Sequence, residues 1–161
     1  MPQLVRIWHV RLVRHAKRLT GRDDVANDVM QEAWLSISRG LNGLDDPARF
    51  GPWAYRIVTR CSGLWIRKQQ RRRQVEANWA HSQPTESPAL ESSGKADVVD
   101  TVRTALRQLP AEQLAILELR YVEGFGIDQI AVALGIAPGT VKSRLFHARQ
   151  VLREHILKVS Q

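Results

Sequence analysis

The chain has 161 residues, 43% of them hydrophobic, and 24 Lys or Arg against 16 Asp or Glu give it a net charge of +8. That size allows one mid-sized domain or two small ones, and no apolar run approaches the ~20 residues that a membrane-spanning helix needs. The single cysteine, Cys61, excludes an internal disulfide, and cations interrupt the first 19 residues where a secretion signal would be apolar, so a reducing cytoplasm is expected.

Two amphipathic helices are predicted at the start of the chain. The second, residues 23–41, begins with Asp23 and Asp24, which can cap free amides and complement the positive helix end. His9 and His15 are expected on the surface or edge of the first helix. The apolar face of the second helix carries Ala26, Met30, Ala33 and Ile37. Its polar face carries Asp28, Gln31 and Glu32, which by themselves indicate only a solvated surface.

Residues 50–73 alternate aromatic rings with cations and end in a basic run. This pattern suits single-stranded DNA, because cations track phosphates and rings offer stacking surfaces. Trp53, Ile57 and Cys61 share one helical face, so Trp53 is expected in the core rather than on DNA. The cations expected on DNA, with solvent-facing charge as the alternative, are Arg56, Arg60, Arg67 and Lys68.

Residues 74–96 are predicted to be a flexible linker, because they are rich in Ser, Pro, Glu and Ala and lack apolar periodicity. The charge divides at nearly the same boundaries: +9 for residues 1–73, −4 for 74–100 and +3 for 101–161. Positive charge therefore belongs to two folded units, as expected where each meets phosphate. Trp79, an isolated ring in this stretch, is interpreted as packing against the first unit, with a partner protein as the alternative.

Residues 97–161 are predicted to form a four-helix unit that ends in a helix-turn-helix. Gly135 supplies the left-handed residue that ends the first helix of the pair, and Pro138 suits the first position of the second. The first helix buries one face, formed by Ile127, Ile130, Ala131 and Leu134. The second turns one stripe to the core, formed by Val141, Leu145, Ala148 and Leu152.

The remaining faces of the second helix are free to meet DNA. Hydrogen bonds to base edges are expected from Ser143, His147 and Gln150, while Phe146 can touch a thymine methyl group. The flanking side chains expected to reach phosphates are Thr140, Lys142, Arg144 and Arg149. A solvated basic helix in an all-α bundle is the alternative.

The run from Leu106 to Glu154, with its Leu-Pro pair and the segment Gly-Thr-Val-Lys-Ser-Arg-Leu, resembles region 4 of the extracytoplasmic-function sigma factors. These are compact sigma-70-type specificity subunits of bacterial RNA polymerase. The Asp-x-x-Gln-Glu pattern ending at Glu32 resembles region 2.2, and residues 50–73 resemble regions 2.3 and 2.4. One departure is Thr59-Arg60-Cys61, where many members carry an Arg-Asn pair. The resemblance covers about residues 4–73 and 97–155.

The resemblance implies an all-α protein of two small helical domains: region 2 at 1–73, a linker at 74–96 and region 4 at 97–161. Core RNA polymerase would bind Asp28, Gln31 and Glu32. Opened minus-10 DNA would bind Arg56, Arg60, Arg67 and Lys68. The minus-35 duplex would be read by Lys142, Ser143, Phe146 and His147, with Thr140, Arg144 and Arg149 on its backbone. An anti-sigma factor is a further partner that the family often uses.

Two other functions remain open: a helix-turn-helix regulator that binds DNA without polymerase, and an interaction protein whose basic faces bind an acidic partner. Catalysis finds no support, because the sequence lacks a glycine-rich phosphate loop, HExxH, CxxC and a nucleophile elbow. The histidines show no metal-ligand spacing; they are His9, His15, His81, His147 and His155. Neither an enzymatic activity nor a metal or other cofactor is expected.

Overall fold

The structure, a computed structural model, describes residues 2–77 and 98–159. Within these ranges lie seven α-helices: α1 Pro2–Thr20, α2 Asp23–Gly40, α3 Phe50–Ala77, α4 Val98–Arg107, α5 Ala111–Tyr121, α6 Ile127–Leu134 and α7 Pro138–Val159. Short 3-10 turns at Leu41–Gly43 and Pro47–Arg49 join α2 to α3. The described ranges contain no strand, and the all-α prediction is confirmed.

Helix α3 continues four residues beyond the predicted start of the linker. The interpretation of Trp79, and the rest of the linker prediction, lie outside the described residues.

Helices α1, α2 and α3 form the first bundle. The predicted apolar face of α2 is buried, and it meets Leu12 and Ala16 of α1 and Ala54, Tyr55 and Val58 of α3. The predicted capping role of the aspartates is wrong, because the residue that caps α2 is Arg22 and no side chain bonds the free amides there. Asp23 instead accepts a hydrogen bond from Lys17, with Nζ 2.8 Å from Oδ2, and Asp24 pairs with the guanidinium of Arg22.

His15 is fully buried, so its predicted place at the surface is wrong. The hydroxyl of Thr59 donates to the carbonyl of Tyr55, 2.8 Å away, and its oxygen therefore accepts from Nε2–H of His15 at 3.0 Å. The other ring nitrogen, Nδ1, is buried without a hydrogen-bond partner. Burial first, and then the charge of Arg18, lower the pKa of His15 to about 3, so the ring is neutral at physiological pH.

Helices α4 to α7 form the second bundle, in which two local signals build the helix-turn-helix. The amide of Gly126 donates to Oε1 of Gln129 at 2.9 Å and so begins α6. Gly135, with φ of 66°, ends α6, and the amides of Gly135 and Ile136 both donate to the carbonyl of Ala131. Pro138 is the first residue of α7, as predicted.

The two bundles pack against each other, α6 on α3 and α5 on α1, and their apolar side chains form one continuous core. At its centre the ring of Tyr55 in α3 meets Phe125 edge to face, with the centroids 5.5 Å apart. Phe125 lies just before α6, so the helix-turn-helix is seated directly on the first bundle. The sequence gave no indication of this contact.

Among the described helices, none combines the length and the apolar character needed to cross a bilayer. The same residues contain no cluster of His, Cys, Asp and Glu that could hold a metal ion.

Candidate nucleic-acid interface

Helix α7 turns a row of polar and aromatic side chains to solvent. Its predicted core residues Val141, Leu145 and Ala148 are buried, and Leu152 is partly buried. The predicted base readers remain exposed on the other side: Lys142, Ser143, Phe146, His147 and Gln150. Phe146 is a large apolar side chain with 56% of its surface open to solvent, which an isolated bundle has no need to leave uncovered.

Several of these residues already have partners within the chain. The hydroxyl of Ser143 donates to the carbonyl of Thr140 at 3.0 Å, which leaves its oxygen free to accept from a base. The guanidinium of Arg144 lies 3.2 Å from a carboxylate oxygen of Glu112, so this half-buried arginine reaches a phosphate only by leaving that pair. Arg149 lies over the ring of Tyr121, 5.9 Å from its centroid. Lys142 and His147 are exposed and directed to solvent.

Helix α3 presents a second cationic surface, in which Arg60, Arg67 and Lys68 are exposed as expected for phosphate contacts. Nε of Arg67 donates to the carbonyl of Gly63 at 3.2 Å, which holds its stem along the helix. Trp53 is partly buried against Gly40, where an added Cβ would lie 2.8 Å from the indole ring. The expectation that Trp53 packs in the core is therefore confirmed.

Arg56 differs from the other cations of α3. Its guanidinium occupies the space that a Cβ on Gly135 would take. The group thus lies at the carboxyl end of α6, where the helix dipole is negative and a cation is stabilising. In this conformation Arg56 interacts with the helix-turn-helix rather than with solvent or nucleic acid.

The predicted polymerase-binding side chains Asp28, Gln31 and Glu32 are exposed together on α2. Asp28 and Glu32 also line a groove of about 570 Å³ between α2 and α3, whose other wall carries Arg60 and Lys68. The candidate protein-binding and DNA-binding surfaces therefore meet along one groove. Cys61 lies inside it, and burial, followed by the charge of Glu32, raises the pKa of its thiol.

Sequence reasoning missed two features of the second bundle. Glu118 and Glu123 are buried carboxylates that face Arg18 and Arg11 of the first bundle. A charged residue within the apolar run of α5 was a signal for such a role, but not for its partner. The other feature is an apolar groove of about 530 Å³ between α4, α5 and α7, lined by residues such as Leu106, Leu114, Leu117, Leu152 and Leu157.

Comparison with known proteins gives the same division of the chain. The family model for sigma-70 region 2 matches residues 4–72, and the model for sigma-70 region 4 matches residues 100–152. The ECF RNA polymerase sigma factor SigE of Mycolicibacterium smegmatis is 31% identical over 98% of this chain, which spans 62% of SigE. SigL of Mycobacterium tuberculosis, also an ECF RNA polymerase sigma factor, is 38% identical over 88% of this chain and 80% of its own length.

Among solved structures, the sigma factor RpoE from Bartonella quintana, crystallised with the anti-sigma factor NepR, is similar in fold. The TM-score is 0.69 at 24% identity, and the match covers 99% of this chain and 98% of RpoE.

Proposed function

The chain belongs to the sigma-70 family of RNA polymerase sigma factors, in its extracytoplasmic-function group, and we propose that it binds core RNA polymerase and directs transcription initiation at specific promoters. The observation that carries this proposal is the surface of α7. Its core stripe is buried while Lys142, Phe146 and His147 are exposed, which is the arrangement a major-groove reader needs.

Within this function we assign region 2 to residues 1–73, a linker to 74–96 and region 4 to 97–161. Region 2 holds the opened minus-10 DNA through Arg56, Arg60, Arg67 and Lys68. Region 4 reads the minus-35 duplex through Lys142, Ser143, Phe146 and His147, with Thr140, Arg144 and Arg149 on the phosphates. The solvent exposure of most of these side chains supports the assignment.

Core polymerase binds the face of α2 formed by Asp28, Gln31 and Glu32. Exposure of all three on one side of a helix whose opposite side is buried supports this role. The chain works in the cytoplasm with polymerase and contributes no catalytic chemistry of its own. An anti-sigma factor, common in this family, is a further partner.

Run-off transcription with core polymerase on a genomic promoter library tests the proposal. Wild type should select a defined set of start sites, and the triple variant Asp28→Ala, Gln31→Ala, Glu32→Ala should lose initiation while keeping its helical content. A matched control removes the exposed polar groups of Gln108 and Glu154, far along the chain, and should leave initiation unchanged. If the chain shifts duplex promoter DNA tightly without core enzyme and does not alter start-site choice, it is a stand-alone regulator and the proposal is wrong.

A further inference from the structure

Two ion pairs join the bundles. Nε of Arg18 in α1 lies 2.8 Å from Oε2 of Glu118 in α5, and Nη2 of Arg11 lies 2.5 Å from Oε2 of Glu123. Both carboxylates are only 1% exposed, although each belongs to a bundle that has its own core. A carboxylate buried in this way is paired because leaving it alone in a low-dielectric site is costly.

Aromatic side chains fill the space beside these pairs. Phe125 packs on Tyr55 and also approaches Gly51 at the start of α3, where an added Cβ would lie 3.2 Å from the Phe125 ring and 2.8 Å from Trp8. The first bundle is thus shaped to receive Phe125. On the far side of the same contact, Arg56 lies against Gly135 at the end of α6. The surface between the bundles therefore combines complementary shape with complementary charge.

We propose that region 4 docks on region 2 of the same chain through this surface, and that promoter binding requires the closed form to open. The inference rests on the sigma-factor function proposed above and adds a binding partner for each domain, namely the other domain. The closed form has a direct cost for DNA binding, because it holds Arg56, one of the four minus-10 cations, at the end of α6.

Distance shows that the closed form must open. Promoter elements centred about 35 and 10 base pairs before the start site are about 25 base pairs apart, or roughly 85 Å of duplex at 3.4 Å per base pair. A compact chain of this length is only about 40 Å across. The two domains cannot bind both elements while they remain in contact.

The polar character of the interface makes it reversible. Arg18 and Glu118 are close, but their groups are not aligned as a hydrogen bond, and Oε1 of Glu118 is also buried without a hydrogen-bond partner. Burial raises the pKa of Glu118 despite the nearby Arg18. Ion pairs of this kind fix the register of a contact more than they strengthen it. Polymerase and promoter therefore have only a modest preference to overcome.

Distance measurements between spin labels on the full-length chain test the proposal. In a Cys61→Ala background, labels at exposed positions 38 in α2 and 158 in α7 should give one narrow distance population for the free chain. Arg18→Glu places a third carboxylate beside Glu118 and Glu123, so the narrow population should be lost. Glu118→Arg alone, a change in the other domain, should have the same effect, and the two changes together should restore the narrow population.

The matched control is Lys17→Glu, which reverses the neighbouring charge but acts only on the exposed Lys17–Asp23 pair within region 2. It should leave the narrow population intact. A free wild-type chain with the same broad distances as Arg18→Glu would overturn the closed form. Core-dependent run-off transcription by that wild-type protein would show that the sigma-factor function stands without it. Absence of core-dependent initiation would overturn the function instead, whatever the distances.

Discussion

At the scale of single residues, the clearest departure from expectation is His15. Its spacing on α1 gave no sign of burial, because the partner that accepts its proton, Thr59, lies 44 residues further along the chain. Glu118 has the same history: the sequence shows a charge in an apolar helix but not the arginine opposite it. Local periodicity identifies which side of a helix is apolar, whereas long-range packing decides which polar groups that side also buries.

The lowered pKa of His15 predicts a pH-dependent stability. A group whose folded-state pKa is depressed adds stability above its ordinary pKa, near 6.5, and this is lost as the pH falls toward the folded value. Between pH 7.5 and 5.5, wild type should lose about 1.4 kcal/mol of unfolding free energy that His15→Gln does not lose. Urea unfolding at the two pH values measures the difference. His147→Gln, at an exposed site, should behave as wild type, and equal pH dependence in all three proteins would contradict the assignment.

At the scale of elements, most of the helix-turn-helix followed from the sequence. Apolar spacing, Gly135 and Pro138 predicted both helices and the turn between them, and the structure agrees. The sequence did not predict that the carboxyl end of α6 receives Arg56. Two faces that each read as solvent-exposed can bury one another, and no local pattern distinguishes that outcome from hydration.

The turn at Gly135 can be tested separately from its contact with Arg56. Gly135→Ala and Gly21→Ala each force a residue with a Cβ into positive φ, 66° and 73°, and each should cost about 1–2 kcal/mol. Only Gly135→Ala also displaces a neighbour, because a Cβ at Gly21 meets nothing within 4 Å. Both variants should therefore lose similar stability in urea, while only Gly135→Ala should broaden the distances between spin-labelled domains. Broadening of the same size in both would refute a specific role for Arg56.

The exposed face of α7 predicts two kinds of DNA defect in the polymerase holoenzyme. His147→Ala should cost about 1–3 kcal/mol at its own base pair and relax sequence preference there. Lys142→Ala should weaken binding evenly across promoters and reduce the slope of log affinity against log salt by about 1. Promoter binding assays over a salt series measure both. Lys158→Ala, an exposed lysine near the end of the same helix, is the control, and an equal loss from it would argue against α7 as the reader.

At the scale of the whole molecule, charge and composition predicted two cationic units, and the family models match them. Their mutual contact could not be predicted, because two bundles joined by a polar segment are compatible with any separation. What determines the contact is a small set of side chains distributed over both units: Arg11, Arg18, Tyr55, Glu118, Glu123 and Phe125. Each of them has an ordinary local explanation when it is considered alone.

The raised pKa of Glu118 predicts that closure depends on pH. Its carboxylate faces Arg18 and Arg14 from α1, Glu123 from the turn after α5 and Tyr55 from α3. A raised pKa in the closed form means that this contribution is full below the ordinary carboxyl pKa and is lost as the pH rises through the raised value. The narrow spin-label population should therefore grow between pH 8 and pH 5.5. Glu118→Gln should flatten that response while Glu112→Gln, on the same helix, keeps it; a response that survives Glu118→Gln would exclude this residue as its source.

Because one guanidinium, that of Arg56, serves both the end of α6 and the candidate minus-10 strand, the two contacts are thermodynamically linked. Whatever factor single-stranded promoter DNA applies to the release of region 4, release of region 4 must return as the same gain in affinity for that strand. Melted promoter DNA would then act as an effector as well as a ligand, and polymerase need supply only the remaining difference in free energy.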